Sequence, residues 1–350
     1  MYEDVHGVVD NLYYDRLLNK TFGIDSRDEA QWSSIVEPIW TTVTLQGKKA
    51  AVLFWAHSST TFHGVLPLIY TWSYTDKISL REKINNALTY FREISDMDLV
   101  MIYHPCDNSS TQMTKYTNVT ILCFSKLLSL DTDIQYLLDK VKQDMHDDLN
   151  IILLSDHGMA NVKRTIKPFY EKYIDKSMID DYYTTGATFN VNPKPDKTEE
   201  VLAGLRGIPN VTVFTRETMP ERFHYSKQLY RLGEIFVIPN EDGIIFSGDT
   251  TNSSSSWNGG THGWDNDFPS MKAIFMAKGP YFKRGFELDT LNNVDIYRMA
   301  CKILNLEPNI YATDGSLHNV TKMFSRTSSF NNQYSILYLC LILFLLYLHY

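Results

Sequence analysis

No block of basic residues occurs anywhere in this sequence, and its formal net charge is −8. That excludes nucleic-acid binding driven by phosphate-backbone electrostatics. Cysteine is scarce. Cys106, Cys123, Cys301 and Cys340 show no CxxC spacing, which excludes a zinc knuckle and a dense disulfide framework. Cys123, inside Ile-Leu-Cys-Phe, reads as a buried thiol. No segment repeats. No apolar run reaches the roughly 20 residues that a spanning helix takes. The first residues, Met1-Tyr2-Glu3-Asp4-Val5-His6, are acidic and lack the apolar centre of a signal peptide.

What is present suits a folded body. The chain has 350 residues, 44% of them hydrophobic, with 22 Tyr, 18 Phe and 6 Trp. That is enough to build one large core or two modest ones. Asn150–Leu154 is an apolar run of strand length ending on Ser155-Asp156-His157-Gly158, the pattern of a strand buried on both faces. Lys49–Trp55 and Asp98–Tyr103 read the same way. Helical spacing marks Gln31–Leu45 (its regular part beginning at Pro38), Leu80–Ile94 and Ile121–Met145, the last with Leu127, Leu130, Ile134, Leu138 and Val141 on one face. Strands alternating with helices imply an α/β protein with a parallel sheet. Beyond Thr165 the pattern loosens. Asp196–Leu205 and Val294–Leu304 read as helices. Ile235–Ile238 and Gly243–Phe246 read as short strands around a turn, and Lys272–Ala277 as another strand.

The C-terminus has its own character. Ile336–Leu348 is unbroken apolar sequence after the polar, Ser-rich 325–333. It is short for a spanning helix and has no basic flank. It reads as either a transmembrane helix or a GPI-attachment signal, in preference to a C-terminal core helix, since it has no polar face. The expected division is a body over 1–324, a linker over 325–333 and a membrane anchor over 334–350. Asn-x-Ser/Thr sequons at Asn19, Asn108, Asn118, Asn210, Asn252 and Asn319 suggest a glycoprotein on the extracellular side.

Chemistry concentrates at two His-Gly pairs, His157-Gly158 and His262-Gly263. Ligands bind at the carboxyl ends of strands in open α/β sheets. A carboxylate and an imidazole delivered there suit a divalent metal, and zinc in particular. An Asp-His-Gly can equally end a strand in an ordinary turn, and His262 by itself is a loop histidine. Two zinc ions fed from both pairs would clamp the attacking and leaving oxygens of a phosphoryl transfer.

Ser155-Asp156-His157-Gly158-Met159 together with Thr261-His262-Gly263-Trp264-Asp265-Asn266 closely resembles the ectonucleotide pyrophosphatase/phosphodiesterase family of the alkaline phosphatase superfamily. His6-Gly7-Val8-Val9-Asp10-Asn11, Glu37-Pro38-Ile39-Trp40 and Asn293-Val294-Asp295-Ile296-Tyr297 match as well. The resemblance runs in order from about Tyr2 to about Leu317. It implies an alkaline-phosphatase-like mixed sheet flanked by helices, and an extracellular hydrolase that cleaves phosphodiester or pyrophosphate bonds with two zinc ions. It implies that Asp156 and His157 hold one zinc, that His262 holds the other, and that Asn11 hydrogen-bonds the phosphate. Trp55, Tyr74 and Tyr103 fall near aromatic positions that shape the pocket for the base or other substrate group; as residues alone they read equally as core.

Two departures stand out. The resemblance places a nucleophilic threonine and one aspartate ligand ahead of the His-Gly-Val-Val-Asp-Asn motif, where this sequence has only Met1–Val5. The expectation is an N-terminally incomplete domain, in keeping with the unusual leader. The resemblance also implies a Pro-Asp-x-x-Gly-His-type pair of ligands after Tyr103. Here Asp107 stands at the aspartate, and Thr111 falls where the histidine belongs; a neutral hydroxyl is a poor zinc ligand. Two expectations follow: an ecto-phosphodiesterase acting on a nucleotide or other small phosphodiester, or a weak or inactive relative that binds at the cell surface.

Overall fold

The computed structural model describes residues 1–23, 26–71, 77–105, 119–251, 259–325 and 340–346. In chain order the first elements are α1 (Glu3–His6), the hairpin β1 (Leu12–Asp15) and β2 (Lys20–Gly23), α2 (Ile39–Leu45), β3 (Lys49–Leu53) and β4 (Ile69–Tyr70). Next come α3 (Leu80–Glu93), β5 (Met97–Pro105), α4 (Val119–Met145), β6 (Asn150–Ser155), β7 (Ala160–Asn161) and β8 (Arg164–Ile166). Then follow β9 (Ile179–Thr184), β10 (Phe189–Pro193), α5 (Thr198–Arg206), β11 (Val211–Thr215), β12 (Ile235–Pro239) and β13 (Ile244–Phe246). The last are β14 (Gly260–Thr261), β15 (Phe275–Lys278), α6 (Asp295–Leu304), α7 (Leu317–Val320) and β16 (Cys340–Leu346).

Local chemistry explains the helix starts. Pro38 stands immediately before α2, where its missing N–H costs nothing. The Ser79 side chain accepts from Glu82 N and caps α3, one of the orphan donors of a helix N-terminus.

The central sheet has the order β15-β6-β16-β5-β3-β4. All neighbours in it are parallel except β15, which runs antiparallel to β6. The sheet is therefore mixed rather than purely parallel. Alternation along each strand splits two cores. Ala50, Val52, Leu99, Met101, Ile152 and Leu154 face Trp40, Val43 and the buried side of α6. Ala51, Leu53, Val100, Ile102, Ile151 and Leu153 face α3 and α4. On α4 the buried line includes Leu137 in place of Leu127, which is exposed. Ile235–Ile238 and Gly243–Phe246 do form strands, but in separate sheets. β12 joins the antiparallel order β11-β12-β10-β9, and β13 pairs in parallel with β8.

The anchor expected over 334–350 is not supported by the placement of its described part. Cys340–Leu346 lies in the middle of the central sheet, paired in parallel with β5 on one side and β6 on the other. Among the described residues no helix is long and apolar enough to cross a membrane. The physical reason is an ambiguity of composition. A strand covered on both faces reads as a continuous apolar run, as a membrane segment does, and seven residues suffice for it.

Candidate active site

β6 is buried over its whole length, and its end is tied down before the polar residues begin. Ser155 N donates to Ile274 O at 3.2 Å, and Ile274 N donates to Ser155 Oγ at 3.0 Å. Asp156 and His157 follow in the turn. His157 N donates to Asp156 Oδ1 at 2.9 Å. The His157 ring sets Nδ1 2.7 Å from Gly158 O. A carbonyl oxygen only accepts, so Nδ1 carries the proton and Nε2 of the neutral ring keeps its lone pair. That Nε2 lies 3.2 Å from Asp156 Oδ2. Two lone pairs at this distance repel unless a proton or a cation sits between them, and burial pushes the His157 pKa down. The backbone-oriented imidazole beside a carboxylate is the arrangement expected of a metal ligand.

Gly158 is required here by space. A Cβ would overlap the Ser270 carbonyl and lie 2.9 Å from Lys272 O, while Gly158 N donates to Met271 O at 3.0 Å. The turn is thus pressed under the segment leading into β15.

The second His-Gly pair arrives through a short ladder. β14 pairs antiparallel with β7, with Thr261 opposite Ala160, so the residue after β14 returns beside the turn before β7. The His157 and His262 rings stack with centroids 3.5 Å apart and 14° between planes. Downstream, Trp264 is buried and its Nε1 donates to Ile244 O at 2.6 Å. Both Asp265 oxygens accept from Arg222, which holds the Asp265 carboxyl below its ordinary pKa.

Asn11 reaches the same place from the other end of the chain. A cavity of about 370 Å³ is lined by Asp10, Asn11, Tyr183, Asn190, His262 and others. The segment carrying Asn11 is held by a residue that the sequence did not single out. Arg231 is buried, and it donates to Gly7 O, to Gln31 O at 2.6 Å and to Ala30 O at 3.3 Å. It also pairs with Asp15 at 2.7 Å, the two side chains being 5% and 1% exposed. Asp15 additionally accepts from Leu17 N and Leu18 N, each at 2.9 Å.

Trp55 follows β3, and Tyr103 lies in the last three residues of β5, at the carboxyl ends of the parallel strands. Their rings meet edge to face, 6.2 Å apart at 71°, so the two aromatic residues expected near the base are neighbours. Tyr74 and Asp107 lie outside the described residues.

The donor chemistry of Asp156 and His157 fits zinc, as a pair. Among the described residues no group of three or more His, Cys, Asp or Glu gathers to hold a metal. His262 meets His157 face to face, and that geometry does not make it a third donor to the same point.

Comparison with known proteins identifies the family. The family model described as type I phosphodiesterase/nucleotide pyrophosphatase matches residues 1–265. A venom phosphodiesterase of Macrovipera lebetinus is 30% identical over 339 residues, covering 92% of this chain and 38% of that protein. Ectonucleotide pyrophosphatase/phosphodiesterase family member 3 of Mus musculus is 28% identical, covering 92% of this chain and 38% of its own length. The bis(5′-adenosyl)-triphosphatase enpp4 of Mus musculus is 30% identical over 311 residues, 88% of this chain and 66% of that one. The chain therefore spans well under half the length of the first two. Among solved structures, murine ectonucleotide pyrophosphatase/phosphodiesterase 5 superposes with a TM-score of 0.80 at 27% identity, covering 93% of this chain and 85% of the other. An inactive variant of that murine protein, in complex with AMP, superposes equally well. With its model matched over more than half of the sequence, this chain belongs to the type I phosphodiesterase/nucleotide pyrophosphatase family.

Proposed function

We propose that this chain is a phosphodiesterase-family domain that binds a nucleotide or related small phosphodiester and hydrolyses its phosphodiester or pyrophosphate bond on the extracellular side. The carrying observation is the stacking of His157 on His262 beside Asp156, with His262 and Asn11 lining one cavity. In this reading Asp156 and His157 hold one zinc ion and His262 contributes to a second. Asp107 is the remaining ligand candidate that the sequence offers. Zinc bound there supplies positive charge to polarise a phosphoryl oxygen. The protein's own part is placement. Asn11 donates its amide N–H to the phosphate, Arg231 fixes the backbone that carries Asn11, and the Trp55–Tyr103 pair, with Tyr74, flanks the base. The body spans 1–324, with Cys340–Leu346 completing its sheet. The names of the relatives and the sequons support an extracellular setting and glycosylation.

The test is metal analysis of the purified chain together with titration of AMP and turnover of a nitrophenyl nucleotide ester. The reading expects zinc to be retained, and lost in Asp156→Asn and His262→Ala. A folded chain that keeps neither zinc nor AMP overturns it. A second reading, a nucleotide-binding relative without turnover, is favoured by Thr111 at the position where the resemblance calls for a histidine. Zinc and AMP bound with no ester cleaved selects that reading.

A further inference from the structure

Helix α3 turns Leu80, Ile84, Ala87 and Leu88 into the core that it shares with α4 and the central sheet. Lys83 lies on the same buried face, three residues after Leu80 and four before Ala87, as helical spacing dictates. Its side chain is fully buried, which is rare for a lysine. Taking an ammonium out of water costs folding free energy, and an apolar residue of similar length at this position would avoid that cost. Departures of this kind from the folding rules concentrate at functional sites.

The ammonium joins two strand ends. Lys83 Nζ donates to Tyr103 O at 3.1 Å, near the end of β5. It also stands 4.2 Å from the ring centroid of Phe54, the residue after β3, a contact that gains strength where water is excluded. β3 and β5 are parallel neighbours, so one cation ties their carboxyl ends together. Phe54 holds a left-handed backbone, φ +62°, which costs a bulky residue free energy unless its surroundings fix it. Two contacts fix it: its buried ring against the Lys83 ammonium, and its N–H bonded to Thr71 Oγ1. That kink sets the direction in which the chain continues to Trp55, whose ring meets Tyr103 edge to face.

We propose that Lys83 is a positioning residue whose buried ammonium locks the ends of β3 and β5 together, so that Trp55 and Tyr103 stand preformed as a wall for the base of a bound nucleotide. This rests on the phosphodiesterase reading above, in which that aromatic pair flanks the base. Being buried, Lys83 acts through Phe54 and Tyr103 and not on the ligand itself. Its contribution is preorganisation, which lowers the ordering cost of binding.

The test titrates AMP, and ribose 5-phosphate as a probe without a base, into the full chain. It also follows the Trp55 indole N–H by NMR, its resonance assigned with Trp55→Phe. Lys83→Met keeps the length of the side chain and removes the charge. It should weaken AMP about tenfold, the size of a lost base–aromatic contact, and change ribose 5-phosphate less than about twofold. It should also shift the Trp55 resonance of the ligand-free chain. Lys83→Arg, which keeps the charge, should bind AMP more tightly than Lys83→Met; an equal loss in the two overturns the proposal. If Lys83→Met fails to fold, Lys83→Gln serves for the same comparison, and failure of both to fold makes Lys83 a folding element alone and overturns its positioning role. A folded Lys83→Met that binds AMP as wild type does, or that loses both ligands equally, overturns it as well. If wild type binds neither ligand, the phosphodiesterase reading itself fails and the base wall falls with it.

Discussion

His6 and Asp10 sit four residues apart on the segment that leads to Asn11, and burial acts on them in opposite directions. Burial pushes the His6 pKa from 6.5 down to about 4, and Val8 N donates to its Nδ1 at 3.2 Å, which needs an unprotonated nitrogen. Burial also pushes the Asp10 carboxyl from 3.8 up to about 6, although Asn11 N donates to its Oδ1 at 2.6 Å. Linkage fixes the signs. For His6 the folded pKa lies below the unfolded one, so its share of stability is present above pH 6.5 and is lost as pH falls through about 4. For Asp10 the folded pKa lies above the unfolded one, so its share is present below pH 3.8 and is lost as pH rises through about 6. Each slope is at most about 1.4 kcal/mol per pH unit, and each full effect at most about 3 kcal/mol. Both side chains are only partly buried, which trims these figures. Between about pH 4 and 6 the two slopes cancel in the wild-type chain. Single variants separate them. Relative to wild type, His6→Gln should gain stability as pH falls from 7 to 4, and Asp10→Asn should gain stability as pH rises from 4 to 7. Urea unfolding at four pH values in that range measures both. If both variants track wild type with no pH-dependent difference, the two groups titrate in the folded protein as they do in the unfolded chain, and the reasoning is refuted.

Arg231→Met strands Asp15 without its cation. The expected loss is about 3–5 kcal/mol in denaturant unfolding, with part of it recovered by adding Asp15→Asn; a loss under about 1 kcal/mol would show that the pair behaves as an exposed one. Gly158→Ala drives a methyl group into the Ser270 carbonyl and should lower both Tm and zinc content, whereas Gly23→Ala, whose methyl would lie 3.9 Å from Asn11 O and Leu12 Cδ1, should leave zinc content unchanged. Leu343→Pro removes an N–H from a strand paired on both sides and should abolish cooperative unfolding, while Leu343→Val should not. A proline variant that melts like wild type would refute the strand placement.

The elements of the central sheet were legible because their periods are unambiguous: β3, β5 and β6 are short apolar runs, and α3 and α6 follow helical spacing. The strand β16 was not legible, since its partners β5 and β6 lie far away in sequence and its composition suits a bilayer as well as a sheet interior. The turn Pro239–Asp242 suggested two neighbouring strands, but turn chemistry says nothing of which sheet each strand joins. At the site, His262 carried no local signal beyond its motif. Its meeting with His157 depends on a ladder of two residues on each side, too short to leave a period. Arg231 and Asp15 were invisible for a different reason. Such residues are normally exposed, and only the fold shows that this pair is not.

Arg231 also links the proposed phosphate contact at Asn11 to the strand bearing Asn190. Its guanidinium holds Gly7, Ala30 and Gln31 on the N-terminal side, and it lines the cavity together with Leu232 and Gly233, which follow it in the chain. Gly233 in turn leaves no room beside Asn190; a Cβ there would meet Asn190 Cβ at 3.1 Å and Val191 N at 2.8 Å. The backbone bearing Asn11 and the strand bearing Asn190 are therefore braced through one residue and its successors. Loosening Arg231 should disturb both walls of the cavity together. Arg231→Met is then expected to weaken AMP binding as well as stability. A variant set in which Arg231→Met spares AMP while lowering stability would separate the scaffold from the site and break this link.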